Sequence, residues 1–119
     1  MLTVNTTEQF IKAYKNGERH FIGCDLDECS FSSVNLSEAI FTKSFLPVDF
    51  DGANCENTHF LKSNLKGADF ANANLRNAII QECSVEGISL TGAIVEGIIF
   101  KDNFYMGSKM DQADLNGFL

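Results

Sequence analysis

Tryptophan is absent from this chain, proline occurs once, at Pro47, and histidine only at His20 and His59. Two isolated histidines, with no Ser–His–Asp or ligand spacing around them, offer no constellation for nucleophilic catalysis or a metal. The four cysteines, Cys24, Cys29, Cys55 and Cys83, form no CxxC pair and no zinc-ligand spacing. No catalytic, cofactor-binding or metal-binding residues are therefore expected. Membrane-length apolar runs are missing, and Met1-Leu2-Thr3-Val4-Asn5 carries no basic stretch of the kind that opens a signal peptide. The expectation is a reducing cytoplasm with free thiols. Basic charge is scarce too: nine Lys and Arg against sixteen Asp and Glu leave a net charge of −7. That balance speaks against direct nucleic-acid binding and against an anionic membrane surface.

What the chain does contain is phenylalanine, eleven times in 119 residues, in a length suited to one domain. Large apolar residues recur every fifth position: Phe21, Leu26, Phe31, Leu36, Phe41, Leu46. After one dropped residue the series resumes at Phe50, Cys55, Phe60, Leu65, Phe70, Leu75, Ile80, Val85, Leu90, Val95, Phe100, Tyr105, Met110 and Leu115. Two places before each centre stands something small or medium, such as Ala53, Ala68, Ala73 or Cys83, with Asn103 the awkward member. Neither the 3.6 period of a helix nor the period of two of a strand sustains this. Five residues with two facing inward mean a short extended stretch, a corner, and another stretch. Gly and Asn fall two places after many centres, where a type II turn needs positive φ. Leu46-Pro47-Val48 reads as one shortened corner, with Pro47 fixing φ.

Ala68-Asp69-Phe70-Ala71-Asn72, Ala73-Asn74-Leu75-Arg76-Asn77 and Ala113-Asp114-Leu115-Asn116-Gly117 closely resemble the A(D/N)LXX signature of the pentapeptide-repeat family. The likeness covers residues 21–119. It implies an all-β solenoid, a right-handed quadrilateral β-helix of about five coils spaced at ~4.8 Å. Independently of that likeness, the phenylalanines fall in alternate repeats, which requires an even number of sides. Sorted by four, they stack on two opposite sides, with slimmer side chains between.

Residues 1–20 form the lead-in. Thr6-Thr7-Glu8-Gln9 fits a capping box, Phe10, Ile11, Ala13 and Tyr14 give an apolar face, and Gly17 stops the helix. A capping helix over roughly residues 7–16 is expected to lie across the first coil. The far end shows no such device. A last coil would expose Phe100, Tyr105, Met110 and Leu115, followed by Phe118 and Leu119, to be covered by that tail or by another molecule. End-to-end homodimerisation buries such a surface by symmetry.

Outward positions should be polar, yet Ile22, Ile40, Leu61, Ile79 and Ile99 recur on the wall behind the Phe21 column, with Phe45 and Phe104 on the next. Such a stripe suits an unidentified protein partner, a second rod or the N-terminal segment. The alternative to β-branched residues serving a partner is that they merely favour stacked strands. The leading expectation is a non-catalytic interaction or scaffolding module. Family members, abundant in cyanobacteria, also include imitators of DNA that bind type II topoisomerases, some conferring quinolone resistance. That resemblance implies gyrase as the alternative partner. Asp49, Asp51, Asp69 and Asp111 would share a wall for it, interrupted by Ser30, Ser89 and Lys109.

Overall fold

The computed structural model describes all residues, 1–119. Each pentapeptide supplies one extended stretch whose centre points inward and whose flanking residues point outward. On the first face these stretches are the strands β1 (His20–Ile22), β2 (Ile40–Thr42), β3 (His59–Leu61), β4 (Ile79–Gln81) and β5 (Ile99–Lys101). They stack in that order as one parallel sheet. The register places Phe21, Phe41, Phe60, Ile80 and Phe100 in a single column.

Bridge pairs define the other sides. Asp25, Phe45, Asn64, Ser84 and Phe104 follow one another up the second face; Ser30, Asp49, Asp69 and Ser89 climb the third; Asn35, Asn54, Asn74 and Ile94 climb the fourth. The tube is therefore four-sided. The offset is twenty residues from Asp25 to Phe45 but nineteen from Ser30 to Asp49, which locates the missing residue at the Pro47 corner. Between Phe21 and Asp102 this is the one corner without a residue of positive φ.

The interior is filled column by column. Phe50 and Phe70 stack at 4.6 Å with their planes 2° apart, and Phe41 stacks on Phe60 at 5.8 Å and 5°. Phe60 then meets Phe50 and Phe70 edge-on at 5.7 and 5.5 Å. Aromatic rings on opposite faces thus join across the middle of the tube in the arrangement their quadrupoles prefer.

Two kinds of corner hold the coils square. After the second, third and fourth faces, a centre carbonyl accepts the N–H three residues on, as in Ala53 to Phe50 at 2.9 Å and Ala73 to Phe70 at 3.0 Å. The Asn, Asp or Ser before the centre also accepts the N–H two residues on: Asp51 donates to Asp49 Oδ1 at 2.8 Å, Glu56 to Asn54 Oδ1 at 3.1 Å, and Ala71 to Asp69 Oδ1 at 2.9 Å. This gives the Asp/Asn of the repeat a structural task. Several corners place Glu28, Lys62 and Glu82 at positive φ, so Gly or Asn is favoured there rather than required.

The corner after the first face lacks the centre-to-third-residue bond and is closed from within. Val4 N–H donates to Cys24 Sγ at 3.3 Å, Cys24 N–H to Ser44 Oγ at 3.0 Å, Ser44 N–H to Ser63 Oγ at 3.1 Å and Cys83 N–H to Asn103 Oδ1 at 3.0 Å. Each of these side chains also donates back to a carbonyl: Ser63 Oγ to Leu61 at 2.9 Å, Cys83 Sγ to Phe60 at 3.2 Å, Asn103 Nδ2 to Ile80 at 3.0 Å. An internal ladder of polar groups satisfies backbone that would otherwise be buried unpaired.

At the N-terminal end Leu2 adds a rung to β1, accepting from Ile22 N–H at 2.9 Å and donating to His20 at 3.0 Å. Helix α1 (Thr7–Lys15) follows. Thr6 caps it by accepting Gln9 N–H at 3.1 Å. Glu18 N–H returns to Ala13 and Gly17 N–H to Tyr14, a Schellman ending with Gly17 at φ 94°. Phe10 is driven into the mouth of the tube, 4.8 Å from Phe21 and 5.1 Å from Phe31.

The C-terminal stretch departs from the expectation that the coil runs to residue 119. Phe104 still pairs with Ser84. Beyond it Met106 and Gly107 both take positive φ and reverse the chain, so β6 (Asn103–Tyr105) pairs antiparallel with β7 (Ser108–Met110). The other pentapeptide corners, that at Pro47 aside, carry one left-handed residue; a type I′ hairpin turn carries two, and Met106 makes the difference. A 3-10 helix, Gln112–Phe118, follows, and Gly117 in it is not at positive φ. Four coils lie between Phe21 and Phe100, rather than about five. With both caps the long dimension is 37 Å.

Candidate functional site

The internal ladder has a consequence for the outer surface. On the second, third and fourth faces the residue before each centre is mostly committed to closing its corner. On the first face the corner is closed from inside, so that outer position is released from the demand for Asn, Asp or Ser. His20, Ile40, His59, Ile79 and Ile99 occupy it, each stacked on the one below. The row after the centres holds Ile22, Thr42, Leu61, Gln81 and Lys101.

The apolar wall is thus a zigzag over two rows rather than one straight ladder. Ile22 and Leu61 lie in the second row; Ile40, Ile79 and Ile99 lie in the first. Ile99 is 46% exposed and the others are half-buried. Round the corner, Phe45 and Phe104 are 37% and 45% exposed, occupying places where the coils beside them carry Asp25 and Asn64 around Phe45 and Ser84 below Phe104. His59 sits between Ile40 and Ile79, and burial pushes its imidazole below the ordinary value, favouring the neutral form. No helix of the structure is long and apolar enough to cross a membrane.

Of the two covers expected for the C-terminal contact set, the tail or another molecule, the structure shows the tail folded back. Phe100 and Leu115 are buried, Tyr105, Met110 and Phe118 half-buried, and Leu119 exposed. The chain's own tail covers part of the coil. Phe118 packs 5.5 Å from Phe100 and 6.1 Å from Tyr105, and its carbonyl accepts Leu90 N–H at 2.9 Å. Gln112 imitates the peptide group of a further rung on the first face, accepting Phe100 N–H at 2.9 Å and donating to Ile98 at 3.1 Å. Asp111 accepts Asp102 N–H at 2.8 Å. Glu86 accepts Met106 N–H at 2.9 Å, which holds its carboxyl below the usual range and ties the hairpin down.

Of the acidic set, Asp49 and Asp69 stack on the third face with Asp51 beside them, and Asp111 stands apart. Asp49 and Asp69 turn an oxygen into their own corners, Asp51 accepts from Asn72 at 3.1 Å, and Asp111 lies in the tail. All four thiols are free. Cys24, Cys55 and Cys83 are buried and Cys29 half-buried. Burial lifts Cys55 far above the ordinary thiol range and Cys83 to about 11. The repeat places Cys83 in a small inward slot and gives no reason for Asn103 in the same slot. The available signal was the column Cys24, Ser44, Ser63, Cys83, Asn103, in which every small-slot residue is polar or a thiol.

A four-sided, right-handed β-solenoid with a helix across its first coil defines the class of this protein. The pentapeptide repeat region family matches residues 18–90, and the chain belongs to that family. Among solved structures it is similar to HetL, a pentapeptide repeat protein involved in heterocyst differentiation regulation in the cyanobacterium Nostoc sp. strain PCC 7120. The two share 22% identity over 76% of this chain and 49% of HetL, with a TM-score of 0.54. The chain therefore spans about half of HetL's length. It is similar also to alr5209, a pentapeptide repeat protein of Nostoc PCC 7120, at 21% identity over 86% of this chain and 79% of that one, with a TM-score of 0.54. At these identities the likeness is one of fold. No curated protein matches the chain.

Proposed function

We propose that the chain is a non-catalytic interaction or scaffolding module that presents the first face of its rod to a protein partner in the cytoplasm. The observation that carries this reading is the wall itself. Where the fold releases the outer position, the sequence places Ile40, Ile79 and Ile99 in the same row as His20 and His59. A stacked apolar stripe is the kind of surface a partner desolvates. The cytoplasmic setting is supported by four cysteines kept as free thiols.

The test is a paired capture from native cytoplasm with the unaltered protein and with Ile79→Asp plus Ile99→Asp. Both side chains face outward, so circular dichroism and the melting transition should stay nearly unchanged while captured partners are lost. Retention of every partner by the double variant would end this reading.

Binding to gyrase through DNA imitation is the other reading, and it draws on the net charge of −7. Asp49 and Asp69 each turn one carboxylate oxygen into their own corner, leaving the other to face a partner. An imitator of DNA would inhibit supercoiling, with inhibition falling as salt rises.

A further inference from the structure

Three faces of the last coil are closed by residues that follow it, and the fourth is not. Gln112 closes the first face, Phe104 the second through Val85 N–H at 2.9 Å, and Phe118 the third. On the fourth, one coil lower, Asn72, Leu75 and Asn77 donate to the carbonyls of Thr91, Ile94 and Glu96 at 3.0, 2.8 and 3.0 Å. Ile94 N–H in turn donates down to Ala73 at 2.9 Å. The equivalent groups of the top coil, the N–H of Gly92, Val95 and Gly97 and the carbonyl of Ala93, have no partner in the protein.

The side chains agree with the backbone. Val95 is the one repeat centre from Phe21 to Phe100 that is not buried, and Ala93 beside it is half-exposed. Ile94 is 37% exposed and stands where Asn35, Asn54 and Asn74 stand below, so the corner-capping side chain is also missing here.

We infer that this edge, from Gly92 to Gly97, takes up an extended segment of another polypeptide as a fifth rung of the fourth face. The edge dictates the chemistry of the occupant. Three carbonyls must face Gly92, Val95 and Gly97, one N–H must face Ala93, and an apolar residue must cover Val95. A repeat-like stretch with a small residue, a spacer and then leucine meets those demands, because such a stretch already does so one coil below at Ala73-Asn74-Leu75. Main-chain bonds supply the affinity and the leucine position the selectivity, as in strand addition generally. A second rod brought end to end would carry its own raised tail into the gap, whereas a single extended chain fits beside it.

Amide exchange followed by NMR tests this with a synthetic peptide of residues 71–77 as the probe. In the free protein Val95 and Gly97 should exchange fast while Leu75 and Asn77 are protected. With the peptide in about hundredfold excess, exchange at Val95 and Gly97 should slow by at least about tenfold. The same peptide N-methylated at the residue matching Asn74 should have no such effect. Slow exchange at Val95 and Gly97 in the free protein would show that the edge is already satisfied and overturn the inference. Equal protection by the N-methylated peptide, or none by either, would also overturn it. So would protection that rises with protein concentration alone together with a dimer mass, since the occupant would then be a second copy.

Discussion

Replacing Phe70 with alanine is expected to lower the unfolding free energy by about 3–5 kcal/mol, the range for a buried aromatic truncated in a core that cannot close over the gap. Phe70 is fully buried, stacked on Phe50 at 4.6 Å and met edge-on by Phe60 at 5.5 Å. The coils above and below are held at fixed spacing by Phe70 N–H to Ser89 at 2.8 Å and Phe50 N–H to Asp69 at 2.7 Å. Those bonds prevent neighbouring coils from collapsing into the void, so the cavity term is retained. Phe70→Leu, which keeps much of the volume, should cost less than about 1.5–2 kcal/mol. Urea unfolding measures both. A loss from Phe70→Ala below about 1 kcal/mol would mean that the ring is not stacked inside.

Truncating Asn103 to alanine is expected to cost about 2–4 kcal/mol, although no sequence rule favours asparagine at a small inward slot. The carboxamide is fully buried, accepting Cys83 N–H and donating to Ile80, each at 3.0 Å. Alanine leaves the buried Cys83 N–H with nothing to bond, at about 1–3 kcal/mol, and removes the side-chain donor from the Ile80 carbonyl as well. Serine is the informative replacement, because Ser44 and Ser63 already serve as rungs of the same ladder. Asn103→Ser should recover at least the bond from Cys83 N–H and so lose clearly less stability than Asn103→Ala in the same urea experiment. Equal losses for the two would mean that the slot is sensitive to shape and not to hydrogen bonding.

These two residues also mark where the sequence is informative and where it is not. Phe70 was legible because a coil of constant length puts every fifth side chain in the same environment, so the pattern repeats and can be counted. The Pro47 corner was legible for the same reason: a single dropped residue shifts the phase once and leaves it intact thereafter. Helix α1 announced itself through Thr6, Gln9 and Gly17, all local signals. Asn103 was not legible as a ladder rung, since its partners are some twenty residues away and its type departs from the serines below.

The C-terminal closure was harder still. Tyr105-Met106-Gly107-Ser108 satisfies a pentapeptide corner as well as a two-residue hairpin, and only the φ of Met106 separates them. Gln112 looks like an ordinary polar residue until its carboxamide is seen standing in for a peptide group. At the wall, sequence found the apolar residues but not their arrangement. Both flanking positions point outward, and only the register shows that Ile22 and Leu61 occupy a different row from Ile40, Ile79 and Ile99.

Ring-to-ring nuclear Overhauser contacts in a sample labelled at phenylalanine test the four-sided coil most directly. Strong cross-peaks are expected between Phe50 and Phe70 and between Phe41 and Phe60, pairs twenty and nineteen residues apart whose rings stack at 4.6 and 5.8 Å. Their absence, or ring contacts confined to residues three and four apart as on a helix, would contradict it.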